Sequence, residues 1–207
     1  MVTKITRGIA KVISSVLHPY VVLSVVVAVV AYQQSPSLLI WAKWTAVALL
    51  SAYLLPLIYI RTRLALAVRT TGTQVSSRSL FREQPTEMAI VAGIFGIPSV
   101  AILYFLNYPI DIIATLVGVA VATLLIALVN KVYRASFHLA LFTSAVVPLA
   151  IIFGLPSLVV VPFILMLGGS RYYLGEHTPL QLTAGFFIGL MSSIAVFQGL
   201  AFLGWAG

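Results

Sequence analysis

The sequence contains no cysteine, and only 8% of its 207 residues are charged. Without cysteine the chain can form no disulfide, offers no thiol nucleophile and has no thiolate for a metal. Acidic residues are scarce as well, at four against twelve lysines and arginines. The formal net charge is therefore +8.

Hydrophobic residues make up 61% of the chain, and the mean hydropathy is +1.13. This composition is typical of an integral membrane protein. A helix needs about 20 apolar residues to cross about 30 Å of hydrocarbon, so the chain suffices for several crossings and leaves little for a soluble domain. The expected fold is all-α: one membrane domain over residues 1–207, built as a bundle of six or seven transmembrane helices.

Apolar runs separated by polar breaks predict where these helices lie. The predicted spans are near residues 18–34, 38–60, 88–107, 109–130, 136–154, 156–169 and 179–205. The sixth is short, and tilting, re-entry or fusion with its neighbour leaves six spans as the alternative. A basic amphipathic lead at 1–17 and a polar basic loop at 61–87 lie outside the spans.

Seven spans put almost all of the positive charge on one side of the membrane. The cations on that side are Lys4, Arg7, Lys11, Arg61, Arg63, Arg69, Arg78, Arg82, Lys131, Arg134 and Arg171. Only Lys43 falls opposite. The positive-inside tendency predicts a cytoplasmic basic face, an N-terminus inside and a multi-pass protein of the plasma membrane. Anionic headgroups are the expected partners of this face, and no nucleic-acid partner is expected.

Ionisable residues are absent from the deep parts of the predicted spans. This absence argues against a proton pump or an ion carrier, which needs such groups along its path. The last span also has no lysine, which makes a retinal protein an unfavourable interpretation. All three histidines fall at or near the basic face. Of these, His18 precedes Pro19 and is interpreted as an interfacial residue at a helix start.

Three connections on the basic side each combine a cation with a serine or a histidine. They are "SSRSLFREQP" at 76–85, "KVYRASFH" at 131–138 and "SRYYLGEH" at 170–177. Arginine forks, serine hydroxyls and backbone N–H groups at helix starts suit a phosphate. A histidine can attack phosphorus or protonate a leaving oxygen. The pattern favours phosphate chemistry, although basic loops also serve simply to orient a membrane protein.

The segment "SRYYLGEHTPLQLTAGFFIG" resembles the third signature of the type 2 phosphatidic acid phosphatase superfamily. That signature runs Ser-Arg, five residues, His, three residues, Asp. Ser170, Arg171 and His177 match it at the required spacing. Gln181 stands where the family has aspartate.

The second family signature, Pro-Ser-Gly-His, is matched in part by "ASFH", through Ser136 and His138. The first signature, Lys, six residues, Arg-Pro, is not present as such. Arg82, in the cation-rich "SRSLFREQP", is its counterpart by position. The connections at 131–138 and 170–181 are therefore the expected site-forming segments.

The resemblance implies a membrane-embedded phosphatase of phospholipid or isoprenoid metabolism. Its substrate would be a lipid phosphate or a polyprenyl (di)phosphate, and it would act through a phosphohistidine without metal or cofactor. His177 corresponds to the nucleophile and His138 to the acid that protonates the leaving group. The residues implied to hold the phosphate are Arg171, Ser136, Ser170 and Arg82.

Gln181 decides between this interpretation and its alternative. In the family, a carboxylate at this position orients the imidazole and stabilises its positive charge; an amide in such a place costs on the order of 10⁴ in rate in serine protease triads. "TPLQ" also predicts a capping box, with Thr178 at the N-cap and Pro179 at the first helical position. The alternative is thus a catalytically inactive relative that binds an anionic lipid or a partner membrane protein. A haem-binding membrane subunit with histidine ligands is a third hypothesis.

Overall fold

A computed structural model describes residues 4–71 and 96–205, which are helical and contain no strand. The helices in these ranges are α1 (Lys4–Val16), α2 (Pro19–Gln34), α3 (Leu38–Thr71), α4 (Gly96–Phe105), α5 (Ile110–Val129), α6 (Phe137–Phe153), α7 (Val161–Tyr173) and α8 (Pro179–Phe202). A 3-10 helix, Leu155–Val160, leads into α7. The all-α fold class is confirmed for these residues.

Within residues 4–71 and 96–205, four helical segments are long and apolar enough to cross a membrane: Leu38–Leu66, Ile110–Val129, Leu155–Tyr173 and Pro179–Phe202. A fifth is obtained if Thr6–Val16 and Pro19–Gln34, bent by 43°, form one broken span. Helices α4 and α6 are apolar but have only 10 and 17 residues, short of the roughly 20 that a perpendicular crossing needs. The described residues thus form a multi-span helical protein with four or five candidate spans, and the count of six or seven remains a prediction.

The prediction of a polar loop from 61 to 87 differs from the structure over residues 61–71. Helix α3 continues through it to Thr71, so residues 61–71 are helical. The physical reason is local: the segment "RTRLALAVRTT" is rich in arginine, leucine and alanine, which are good helix formers, and no glycine or proline interrupts it. Residues 72–87 lie outside the described residues.

The predicted basic amphipathic lead forms α1. Its Ala10 and Ser14 are buried, whereas Arg7 and Lys11 are exposed. Helix α1 packs against α7, near the end of α7 that carries Arg171. A surface helix with one buried stripe and exposed cations suits the headgroup level of a bilayer.

The centre of the bundle consists of α5, α6 and α8, with α2 packed on α6 and α3 outside α2. Two glycines one turn apart on α8 bring it close to α6. A Cβ atom on Gly185 would collide with the carbonyl oxygen of Ser136, and one on Gly189 with that of Ala140. Lipid gives little hydrophobic drive between helices, so small residues that let backbones approach are what hold such a pair together.

Buried hydroxyl groups add hydrogen bonds to the same contact. The Ser144 and Ser193 hydroxyl oxygens are 2.8 Å apart, and the Ser193 hydroxyl also donates to the Ser144 carbonyl at 2.7 Å. Gly118 of α5 faces this pair, and a Cβ there would lie 2.9 Å from Ser193 Oγ. Helices α5, α6 and α8 therefore meet at small side chains whose polar groups satisfy one another.

Different helix termini lie at the two ends of the bundle. At one end, the rings of His18 and His138 meet edge to face, and this contact joins the starts of α2 and α6. At the other end, the Gln34 side-chain amide donates to the Asp111 carboxylate at 2.6 Å, which joins the end of α2 to the start of α5. The connections at 131–138 and 170–181 both lie at the His18 end, called here the histidine end.

Candidate functional site

Arg171 occupies the last turn of α7 and is only 6% exposed. One guanidinium nitrogen, Nη1, donates to the Ser14 hydroxyl of α1 at 2.9 Å. The other, Nη2, forms an ion pair with the Glu176 carboxylate. A buried guanidinium needs such partners, because removing one partner of a fully buried ion pair costs about 3–5 kcal/mol of folding stability. The arginine predicted to hold phosphate therefore holds α1 and the following turn in this structure.

The turn between α7 and α8 carries the chain from Arg171 to His177. Gly175 adopts a φ of 70°, a conformation that favours glycine. Glu176 follows it and folds back, with its backbone N–H donating to the Arg171 carbonyl at 3.1 Å. The Glu176 carboxylate forms an ion pair with Arg171, so the turn folds back onto the end of α7.

The side-chain oxygen of Gln181, in the first turn of α8, contacts both the Thr178 backbone and the His177 ring. The Thr178 backbone N–H donates to Gln181 Oε1 at 3.0 Å, while the Gln181 N–H donates to the Thr178 hydroxyl at 3.3 Å. The predicted capping box is thus confirmed. The same Oε1 lies 3.4 Å from His177 Nδ1. Because an amide oxygen only accepts, a hydrogen bond between these atoms needs the proton on Nδ1, and this tautomer puts the lone pair of the neutral imidazole on Nε2.

Ser136 and His138 lie at the start of α6. Ser136 is fully buried and caps this helix, with its Oγ accepting from the Leu139 N–H at 3.4 Å. Its backbone N–H donates to the Gln181 carbonyl at 2.9 Å. His138 is partly buried in the first turn of α6. A main-chain hydrogen bond therefore joins the two connections that the sequence predicts to form the site.

Ser170 and Arg82 are the other two residues predicted to hold phosphate. Ser170 is buried, and its hydroxyl donates to the Leu167 carbonyl of its own helix at 2.7 Å. This hydrogen bond to the preceding turn uses the only hydroxyl proton of Ser170. The Ser170 side chain can therefore only accept a further hydrogen bond. Arg82 lies outside the described residues, as do Glu83 and Glu87, and its role stays a prediction.

His18 is the residue of this region that the sequence interpretation missed. Its ring lies 5.2 Å from that of His138, edge to face at 89°, and 5.3 Å from that of Tyr20. It is also close enough to the Arg171 guanidinium for the two to interact electrostatically. The sequence offers one indication of its place, since His18 is predicted to lie at or near the basic membrane face, as the other two histidines are. Adjacency to His138 could not be inferred, because the two lie in distant parts of the chain.

The electrostatics of the histidine end favour an anion. Helices α2, α6 and α8 all begin there, and each helix N-terminus carries roughly half a positive charge. The Arg171 guanidinium adds a full charge, offset by Glu176. Within the described ranges, no group of three His, Asp or Glu residues could hold a metal ion. The histidine end thus brings together imidazole rings, a buried guanidinium and three helix N-termini, which are groups that phosphoryl transfer can use.

No protein-family model, curated protein or solved structure matches this chain.

Proposed function

We propose that this chain is a membrane-embedded phosphatase that hydrolyses a lipid phosphate or a polyprenyl (di)phosphate through a phosphohistidine on His177. The observation that carries the proposal is the contact between His177 Nδ1 and Gln181 Oε1. Because the Thr178 N–H fixes the amide oxygen as an acceptor, a hydrogen bond from His177 to it uses the proton on Nδ1 and leaves the lone pair on Nε2. A lone pair on a fixed imidazole is what nucleophilic attack on phosphorus requires.

The reaction proceeds in two displacements. His177 Nε2 attacks phosphorus, a P–N bond forms, and the P–O bond to the lipid breaks while His138 donates its proton to the leaving oxygen. Water then attacks phosphorus, His138 takes up a proton from it, and the P–N bond breaks to release inorganic phosphate. The catalytic help is mainly positioning and charge dispersal over the phosphoryl oxygens. The groups assigned to this task are Arg171, Ser136 and Arg82, because the only hydroxyl proton of Ser170 is already donated to the Leu167 carbonyl.

The position of the site suits a substrate that stays in the bilayer. Tyr172 and Tyr173 follow Arg171 directly and are 53% and 54% exposed. Tyrosine side chains prefer the headgroup level, where an apolar ring and a polar hydroxyl are both accommodated. The phosphate would enter among the helix starts while the acyl or prenyl chain remains between lipids. We assign this face to the cytoplasmic side of the plasma membrane because the basic connections gather there.

A second function is favoured by one specific observation, the ion pair between Arg171 and Glu176. A guanidinium that already holds a carboxylate and the Ser14 hydroxyl has less capacity for phosphate. Gln181 contributes no negative charge to stabilise an imidazolium. Both features suit a catalytically inactive relative that binds an anionic lipid or a partner membrane protein.

A phosphate-release assay distinguishes the two functions. The purified protein in mixed micelles would be offered phosphatidic acid, phosphatidylglycerophosphate and a polyprenyl diphosphate. We expect release from at least one of them, its loss in His177→Ala, and an acid-labile label on the parent after brief exposure to ³²P-substrate. Gln198→Ala, an exposed position on α8, serves as the matched control. No release from any substrate, with vesicle binding equal in the parent and His177→Ala, would replace the phosphatase with the binding protein.

A further inference from the structure

The His18 ring belongs to the histidine end through contacts on several sides. It lies in the break between α1 and α2, and its ring meets that of His138 edge to face at a centroid distance of 5.2 Å. Ser14, one turn earlier in the chain, accepts a hydrogen bond from Arg171 at 2.9 Å. The segment from Ser14 to His18 is therefore attached to α7 at its start and contacts α6 at its end.

A backbone hydrogen bond determines the tautomer of His18. The Tyr20 N–H donates to His18 Nδ1 at 3.4 Å, an N-cap contact that begins α2. Because the backbone N–H is the donor, Nδ1 must accept, and the neutral ring carries its proton on Nε2. A hydrogen bond from His177 to Gln181 Oε1 needs the opposite arrangement, with the proton on Nδ1. The contacts of the two histidines therefore favour different tautomers.

We propose that His18 is a positioning residue for His138, and this inference rests on the proposed phosphatase function. An aromatic ring held edge to face against another restricts its rotation and favours one orientation. A proton donor works only when its ring is aligned with the leaving oxygen, and a misplacement of about 1 Å can cost about 100-fold in rate. His18 is fixed by its cap to α2, and it transfers that fixed position to the His138 ring.

The capping role of His18 must be separated from this one. His18→Asn keeps a side-chain oxygen that can accept from the Tyr20 N–H, since asparagine is a good N-cap, but it removes the ring. His18→Phe keeps an aromatic ring beside His138 and removes the cap acceptor. Ser37→Asn is the matched control, because the Ser37 hydroxyl accepts from the Ile40 N–H and caps a helix at the opposite end of the bundle.

In the phosphate-release assay, we expect His18→Asn to lower kcat by about 10- to 100-fold with KM unchanged and the unfolding temperature preserved. His18→Phe should recover part of kcat while lowering the unfolding temperature. Ser37→Asn should match the parent. If His18→Asn does not fold, His18→Ser, a second good capping residue, takes its place. A parent that releases phosphate and a folded His18→Asn with the same kcat would overturn the positioning role and leave the phosphatase intact.

A second measurement does not depend on activity. With three histidines in the chain, ¹⁵N-histidine NMR gives a small set of ring signals. We expect the neutral His18 ring to be protonated on Nε2, and His18→Asn to shift the His138 ring signals but not those of His177. Protonation of His18 on Nδ1, or unchanged His138 signals, would contradict the inference. A parent without phosphatase activity would end the proposed function, and the positioning role with it, whatever the spectra show.

Discussion

At the residue scale, Gln181 serves two purposes with one side-chain oxygen. It completes the capping box of α8 and it orients His177. In a triad, much of the effect of replacing a carboxylate with an amide comes from the wrong tautomer. Here the Thr178 N–H directs the amide oxygen toward His177, so a hydrogen bond between them favours the tautomer that the proposed reaction uses, and what the amide lacks is the negative charge. Under the proposed function, we therefore expect the amide to cost less in rate than a change of tautomer would.

The missing charge can be tested directly. Gln181→Glu keeps the length of the side chain and its capping oxygens and adds a carboxylate beside His177. We expect kcat for phosphate release to rise about tenfold or more, because one unit of imidazole pKa corresponds to about 1.4 kcal/mol of charge stabilisation. Gln181→Leu, which removes the acceptor, should lower it. A folded Gln181→Glu with parental kcat would show that charge at this position does not limit the reaction.

The Arg171 and Glu176 pair gives a second prediction at this scale. Glu176→Gln leaves the buried guanidinium without its carboxylate, and we expect a loss of about 1–3 kcal/mol in folding stability, less than for a fully buried pair since the Glu176 side chain is 22% exposed. A phosphate group that binds Arg171 should restore part of this loss.

The measurement is the unfolding temperature with and without phosphatidic acid in the micelles. Phosphatidic acid should stabilise Glu176→Gln more than the parent, because a ligand that binds only the folded state raises its stability. Ser14→Ala, which removes a neutral partner of the same guanidinium, is the control. Equal stabilisation of parent and Glu176→Gln would mean that Arg171 does not hold the lipid phosphate.

At the scale of elements, the close contact between α6 and α8 positions both site-forming connections. Gly185 lies against the carbonyl of Ser136, the residue that caps α6. A change in the distance between the two helices would therefore move Ser136 and Gln181 relative to each other. The site depends on glycines that contribute no chemistry of their own.

Gly189→Ala tests this dependence. The added methyl group meets the Ala140 backbone, which cannot rotate away, so we expect about 1–3 kcal/mol of destabilisation. Gly199→Ala is a control on the same helix: nothing lies within 4 Å of its Cβ position, and alanine is the better helix former. Thermal unfolding of both variants should therefore shift in opposite directions. If both behave alike, α6 and α8 are not in the close contact described.

At the scale of the whole molecule, hydropathy predicted the helices and not their contacts. Lipid requires every backbone polar group to bond internally, so long apolar runs become helices. The predicted span 109–130 accordingly appears as Ile110–Val129, and 179–205 as Pro179–Phe202. The partner of Arg171 could not be foreseen, because Ser14 is 157 positions away and no local periodicity encodes such a pairing. The proximity of His18 to His138 was missed for the same reason.

The orientation of the molecule is the prediction at this scale. The chain has no cysteine, so single cysteines report without background. Val132, 90% exposed in the connection before α6, lies at the histidine end, and the exposed Gln33 lies in the last turn of α2 at the other. An impermeant thiol reagent should label Gln33→Cys in intact cells and Val132→Cys only after permeabilisation, as the positive-inside tendency requires. The reverse pattern would put the site on the outer face.

The hydrogen bond from the Ser136 N–H to the Gln181 carbonyl uses only main-chain atoms. Proline at 136 removes the donor, and the fully buried Ser136 leaves room only for small side chains, whereas a substitution at Gln181 leaves both main-chain atoms in place. Under the proposed function, a change at Gln181 could therefore alter turnover without separating the two connections, because the bond that joins them is made by the backbone.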